Sequence, residues 1–438
     1  NISIKEVIED VLGRLEQTEP STRSYVHICE KEKILEGVPS IENRIKNRQD
    51  RCLAGVPMAL QDDICTDGII TTWGSKMLKK FKPPYNADVV NRLYDQDCIL
   101  IGKTNLDAFG IDSSTENSDF YTTINPINNR YKPGGAGGSA AAVSTGSAFF
   151  ALGSDTGGAI RQSASYCGIV GLKPTYGLVS RYGLMTHAPS LVQIGTLTKD
   201  VEDCSIVLNA IAGYDKKDGN SVAVEKIDYR KTLNNDIKGI RIGILSNELG
   251  VNIDEDIKSG MDSAMSIFQE LGADIDRIHI THLKYSLPMY IVTAAAESSS
   301  ALARIDGIRY GYRGESIEDI EDLFIRTRSE GFGEIEKMWM VLGGYLLQSN
   351  KGLNRYQKAL ELRIQLRKEF EQIFEKFDII ISPTSPAIPL KPRNQKAEHL
   401  KIHQDKIYTA AANLVGLPAL SIPHCHEQGK YMGIQLIS

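Results

Sequence analysis

Residues 133–175 read PGGAGGSAAAVSTGSAFFALGSDTGGAIRQSASYCGIVGLKPT, and the reading of this stretch decides the fold. Small residues dominate it, yet it carries apolar runs, so it is not a flexible linker. Glycines in such numbers permit positive φ and let the backbone approach a ligand closely. Backbone N–H groups exposed in a turn offer a site for an anion or an oxyanion. Three familiar readings fail on the residues themselves. Gly135-Ala-Gly137-Gly-Ser-Ala140 fits a loose dinucleotide pattern, but the preceding Asn128–Pro133 is not a strand, so the required context is missing. A phosphate loop ending at Gly102-Lys103-Thr104 needs glycine at position 97, which is Asp97. Asp155-Thr156-Gly157 has no second Asp-Thr-Gly with which to share a proton, as an aspartic protease requires.

Outward from this segment, strands and helices alternate. Cys98–Ile101, Ile240–Leu245 and Asp378–Ile381 read as short buried strands. Ser3 and Glu6 are spaced as a capping box before a helix whose face is Ile4, Val7, Ile8, Val11, Leu12 and Leu15. A second helix is expected from Asp254 to Leu271, with the stripe Ile257, Met261, Ala264, Phe268 and Leu271 and with Gly272 as its cap. The alternation predicts an α/β fold around a mixed or parallel sheet. Residues 295–370 are richer in helix formers and charge, and read as a helical excursion from that sheet. There is no internal repeat and no low-complexity linker; the residues alone mark no domain boundary, and the length allows one large domain or two ordinary ones.

Bulk properties narrow the function classes. Net charge is −5 with no long run of one sign, which argues against a broad basic face for nucleic acid. No apolar run approaches the ~20 residues that cross a bilayer, so a soluble protein is expected, and the N-terminus has no signal-peptide pattern. The seven cysteines are scattered and include no C-x-x-C, which argues against a disulfide framework or a structural zinc site. A reducing compartment, cytoplasm or organelle matrix, is expected rather than secretion. Neither a metal nor a cofactor is implied.

Several motifs carry a family resemblance. Leu53-Ala-Gly-Val-Pro-Met-Ala-Leu-Gln-Asp-Asp-Ile-Cys-Thr-Asp-Gly68 resembles the first signature of the amidase-signature enzymes. Ile101-Gly-Lys-Thr-Asn-Leu-Asp107 and Ser114-Thr-Glu-Asn117 follow in the expected order. The glycine-serine segment, Gly153-Ser-Asp-Thr-Gly-Gly158 and Gly171-Leu-Lys-Pro-Thr-Tyr-Gly177 come next. Asp306-Gly-Ile-Arg-Tyr-Gly-Tyr312, Arg328-Ser-Glu-Gly-Phe-Gly333 and Asn413-Leu-Val-Gly-Leu-Pro418 are similar to one branch, the A subunits of the tRNA-dependent glutamyl/aspartyl amidotransferases. The resemblance covers essentially the whole chain. It implies the amidase-signature fold: a large twisted mixed sheet covered by helices on both faces, with residues 1–438 forming one domain.

The resemblance also implies a triad of serine, cis-serine and lysine, in which a neutral lysine takes the nucleophile's proton through the bridging serine. A hydroxyl needs such a base, and lysine serves only when burial lowers its pKa. Carried over position by position, the lysine of Ala-x-Lys-Asp is Gln61 here. The bridging serine falls in Pro133-Gly-Gly-Ala-Gly-Gly-Ser139, one residue short, which leaves Ala136. The nucleophile after Asp-Thr-Gly-Gly is Ala159. The oxyanion turn Asp155-Thr156-Gly157-Gly158 is retained. Loss of one member of a coupled nucleophile–base unit can cost on the order of 10⁶ in turnover. On the substrate side, an arginine pair that includes the glutamine-carboxylate holder is replaced by Met338 and Trp339. The aspartate that holds the glutamine amino group is replaced by Lys406, beside Asp405. An Arg-to-Met change removes bidentate carboxylate recognition.

These positions predict a degenerate relative of such A subunits that acts by binding, in a scaffold or regulatory role. The implied partners are B- and C-like subunits or an active A-like one, with a small amide as the implied ligand and no direct nucleic acid. Two alternatives stand beside it: an enzyme with altered chemistry on the retained oxyanion turn, and a deliberately inactivated glutamine-dependent amidotransferase chain. Ser154, Thr156, Ser163, Ser165 and Cys167 lie close in sequence, but without a nearby base each is expected to be structural.

Overall fold

Side chains alternate across a strand with a period of two, and here both halves of the alternation are apolar. Met58, Leu60, Leu100, Phe150, Leu152 and Ile194 lie in one buried cluster, while their neighbours Ala59, Ile99, Ile101, Ala151 and Leu197 lie in another. Such strands must be covered on both faces. The computed structural model describes residues 2–47, 51–225, 227–233, 236–245, 253–387, 403–426 and 430–438.

In chain order its main elements begin with α1 (Ile4–Thr22), β1 (Tyr25–Ile28), α2 (Lys31–Glu36), α3 (Val38–Lys46), β2 (Pro57–Gln61), α4 (Asp88–Tyr94) and β3 (Ile99–Thr104). The 133–175 segment supplies α5 (Gly137–Thr145), β4 (Phe150–Asp155), α6 (Ala159–Cys167) and β5 (Val170–Lys173). Then follow β6 (Gln193–Thr198), α7 (Val201–Ile211), β7 (Arg241–Leu245), α8 (Glu255–Glu270) and β8 (Asp274–Ile278). The remainder is α9 (Ser286–Leu302), α10 (Ile320–Gly331), α11 (Glu334–Gln348), α12 (Asn350–Phe374), β9 (Ile379–Pro383), a short helix Ala410–Val415, β10 (Ala419–His426) and β11 (Lys430–Ile437).

The strands form one 11-stranded mixed sheet in the order β1-β3-β2-β4-β6-β5-β10-β11-β9-β7-β8. β2 runs parallel to both β3 and β4, whereas β4–β6, β6–β5 and β5–β10 are antiparallel. Ile8, Val11, Val143, Ile160 and Ala164, from α1, α5 and α6, cover one face of its first half. Val89, Leu93, Val207 and Ile211, from α4 and α7, cover the other. The expected α/β fold is therefore the observed one.

Local signals behave as their chemistry dictates. Ser3 and Glu6 close the capping box of α1. In α8, Ile257, Met261 and Ala264 are buried, but the expected stripe ends at Phe268. Leu271 is the C-cap and is exposed, with Gly272 next at φ +91°. The helical excursion expected over 295–370 corresponds to four helices that begin earlier, at Ser286, and end at Phe374. Among the described residues, no helix is long and apolar enough to cross a membrane. Six cysteines, at 29, 52, 65, 98, 167 and 204, are free thiols.

α9 and α11 touch backbone to backbone at Gly343, where a Cβ would run into the carbonyl oxygen of Ala295 and lie 2.6 Å from the Ser299 Cβ. Overpacking of this kind typically costs ~1–3 kcal/mol. Gly343→Ala should lower the urea midpoint of the purified chain by a corresponding amount, whereas Gly344→Ala, whose Cβ has room, should not.

Candidate active site

β4 ends at Asp155 and α6 begins at Ala159, so Thr156-Gly157-Gly158 must reverse the chain in three residues. Asp155 accepts the Gly158 N–H at 2.8 Å and fixes the turn. Gly158 sits at φ +124°, where side chains are rarely tolerated, and a Cβ there would overlap the Thr409 hydroxyl. Gly157 is required for a second reason: a Cβ would lie 2.6 Å from the ring of Tyr290. Its carbonyl accepts the Thr409 hydroxyl at 2.7 Å. The Ala159 N–H belongs to the first turn of α6, whose N–H groups have no intrahelical acceptor. Among the described residues, neither it nor the N–H groups of Thr156 and Gly157 meet another protein acceptor. These donors, at the positive end of a helix, suit a negative charge.

Behind the turn lies a buried polar lattice. Arg161 is fully buried and grips Asp155 with Nε at 3.1 Å and a terminal nitrogen at 2.9 Å. The same guanidinium donates to the Thr409 carbonyl at 3.0 Å, to Gln435 Oε1 at 2.5 Å and to Asn413 Oδ1 at 2.5 Å. Asn413 returns its amide N–H groups to Asp155 Oδ1 and to the Asp155 and Leu191 carbonyls. Burial pushes the Asp155 carboxyl up, but Arg161 and Asn413 outweigh it and hold the group below the usual carboxylate range. Nearby, burial pushes the Lys173 ammonium down to about 7.

The three expected triad positions converge on the turn. Gln61 ends β2, is buried, and its Oε1 accepts the Ser154 N–H at 2.6 Å. Ala136 caps α5, is fully buried, and its N–H donates to Ser163 Oγ at 3.0 Å. Ala159 opens α6 and is half-buried, and a Cβ on Gly135 would lie 3.3 Å from its methyl. So a carboxamide and two methyls occupy the three positions beside the turn. None of the three is a base or a nucleophile.

Ser163 is buried and engaged by the Ala136 N–H. Ser154, partly exposed, follows Gly153 in β4 and donates to Asp63 Oδ2 at 2.5 Å. Asp63 is buried, its carboxyl is pushed up to about 7 by burial, and its Oδ1 has no hydrogen-bond partner. Lys103, the other lysine of these motifs, is fully buried. It donates to the Ile64 carbonyl and lies 3.1 Å from the Thr66 hydroxyl, so it faces away from the turn's donors.

The substrate-side positions divide. Trp339 is buried with its ring 6.5 Å from Tyr290 and 6.4 Å from His187. Lys406 is buried too, its ammonium 3.1 Å from the Tyr290 hydroxyl and 4.8 Å above that ring. Tyr290 in turn backs Gly157, so both residues reach the turn through it. Met338 does not join them: it is 47% exposed on the outer side of α11. Burial pushes the Asp405 carboxyl up to about 7. Sequence reasoning missed Arg161, Asn413, Gln435, Thr409 and Tyr290. Arg161 lies inside the 133–175 stretch and Asn413 inside the Asn413–Pro418 motif, but neither was given a role there. Among the described residues, no cluster of three metal-ligating side chains occurs.

Two outcomes follow from this lattice. Arg161→Met leaves Asp155 buried without its cation, a loss typically worth ~3–5 kcal/mol. It should strongly lower the urea midpoint, and adding Asp155→Asn should recover part of the loss. Asp63 holds its proton up to about pH 7 when folded, but only to ~3.9 when unfolded. Between those values the unfolded state binds fewer protons, so stability falls as pH rises, and above pH 7 the slope vanishes. The stability gained by Asp63→Asn should therefore grow between about pH 4 and 7 and then level off.

Comparison with known proteins agrees with this architecture. Residues 6–438 match the profile of the Amidase family. The A subunit of the glutamyl-tRNA(Gln) amidotransferase of Caldanaerobacter subterraneus subsp. tengcongensis is 48% identical over 437 residues, covering 100% of this chain and 89% of that protein. Its counterpart from Staphylococcus epidermidis is 40% identical over 437 residues, at 100% and 90% coverage. The crystal structure of the Thermotoga maritima counterpart superposes with a TM-score of 0.82 at 32% identity, covering 100% of this chain and 91% of the other. A bacterial aryl acylamidase, at 23% identity and a TM-score of 0.85 with 100% and 89% coverage, shares the fold. A glycine-rich turn set between β4 and α6, locked by buried Asp155 and Arg161 and matched over nearly every residue, places this chain in the Amidase family.

Proposed function

We propose that the chain is an amidotransferase component of the A type that works by binding and assembly, and does not hydrolyse glutamine by a serine–serine–lysine route. The observation that carries this is the Ala159 methyl, partly buried at the start of α6 beside the N–H donors of the turn. A methyl cannot attack a carbonyl, and Gln61 offers an amide oxygen already engaged by the Ser154 N–H in place of a base. The turn and its lattice can still hold an anion or polarise a carbonyl, but oxyanion stabilisation without the nucleophile–base unit leaves only ~10³ over water.

The identities to A subunits from several bacteria support B- and C-like partners, in a reducing compartment that suits the free thiols. The reading takes residues 1–438 as one domain. It retains Trp339 and Lys406 as altered pocket residues behind Tyr290, with Met338 on the outer surface. A second reading, altered chemistry on the oxyanion turn, is favoured by one observation: Ser154, one residue before Asp155 and only partly buried, carries a hydroxyl bonded to the Asp63 carboxyl.

The test combines assembly and turnover. The chain, co-expressed with B- and C-like subunits from the same host, should co-elute with them and release no ammonia from glutamine or asparagine above background. Ala159→Ser alone should remain inactive, because no base faces it. Glutamine turnover that disappears on Ser154→Ala would overturn the binding reading in favour of the second. Failure to co-elute would remove the assembly claim.

A further inference from the structure

The chain is acidic overall, yet Lys76-Met-Leu-Lys79-Lys80-Phe81-Lys82 places four positive charges in seven residues with no acid among them. Loop 306–314 packs directly on this segment. The Tyr312 N–H donates to the Met77 carbonyl at 2.6 Å, and the Tyr310 ring rests on Phe81 with centroids 5.8 Å apart. Together they line a groove of about 460 Å³ formed by Lys76, Lys79, Lys80, Lys82, Phe81 and Tyr312. Lys76 has a weak partner, Asp119 at 4.0 Å. Among the described residues, Lys79, Lys80 and Lys82 have no carboxylate within ion-pair distance, and all three are exposed. Tyr310, which adjoins Phe81 of the groove wall, is 39% exposed.

We propose that this groove binds single-stranded nucleic acid: the lysines take successive phosphates and a base stacks on the Tyr310–Phe81 pair. Unpaired lysines act as point-charge phosphate binders. Lysines interleaved with aromatic rings form the arrangement that holds single strands without reading sequence. An acidic peptide would satisfy the lysines but leave the ring face unused, and this distinguishes the two partners. The groove contains none of the residues of the oxyanion turn, so the proposal stands or falls independently of the assembly reading.

The test is fluorescence anisotropy of a labelled oligouridylate of about 12 nucleotides, within the site sizes such grooves take, titrated with the full chain between 50 and 200 mM salt. Binding should weaken with salt, with a slope of roughly 0.7 per phosphate contact for a single strand. Lys79→Glu/Lys80→Glu/Lys82→Glu should lose at least tenfold in affinity and most of that slope. Lys351→Glu/Lys358→Glu/Lys368→Glu, an equal charge change on α12, should lose little. Tyr310→Ala should cost at least fivefold with the slope unchanged, the size expected for one lost stacking contact. Equal losses in both triple variants would overturn the proposal. So would a polyglutamate peptide that binds as tightly as the oligonucleotide, or affinity indifferent to Tyr310→Ala.

Discussion

The Asp155–Arg161 ion pair is the constraint on which the rest of the site depends. Two opposite charges with no exposure to solvent are tolerable only if every remaining donor and acceptor is occupied. That demand recruits Asn413 and the Thr409 carbonyl from the C-terminal third of the chain and Gln435 from β11. The pair therefore does more than shape a turn. It clamps β4 and α6 to a helix and a strand some 250 residues away in sequence. The lattice stabilises the fold whether or not chemistry occurs in front of it.

Chemistry and scaffold are separable at this site because they use different atoms. The scaffold uses the Asp155 carboxylate, the Gly158 N–H and the Gly157 carbonyl. Catalysis of the implied kind would use side chains at 61, 136 and 159, all of which end in neutral groups here. The Ala159 side chain makes none of the hydrogen bonds of the lattice behind the turn. The Arg161 side chain makes five of them.

Much of this was legible in the sequence. The apolar runs, the capping box and the glycine pattern each report a local requirement, and the order of the motifs reports the fold. What was not legible depends on meetings between distant residues. Arg161 looked like an ordinary helix residue two places beyond Ala159, and nothing local says that it is buried. Tyr290 lies in an unremarkable helical stretch, yet it joins Lys406 to Gly157. Met338 and Trp339 are neighbours in sequence but sit on different sides of α11, so helical geometry sends one to the core and the other to solvent.

Gln61 has a consequence for how such a site changes over time. Its amide oxygen serves the Ser154 N–H, and a Cβ on Gly153 would already lie 2.8 Å from it. A lysine at that position brings three donors and no acceptor. It would strand a backbone N–H in the strand that leads into the turn, an orphan of the kind that typically costs ~1–3 kcal/mol. An ammonium at position 61 is therefore compatible with this strand only if the strand beside it is remade to satisfy that N–H.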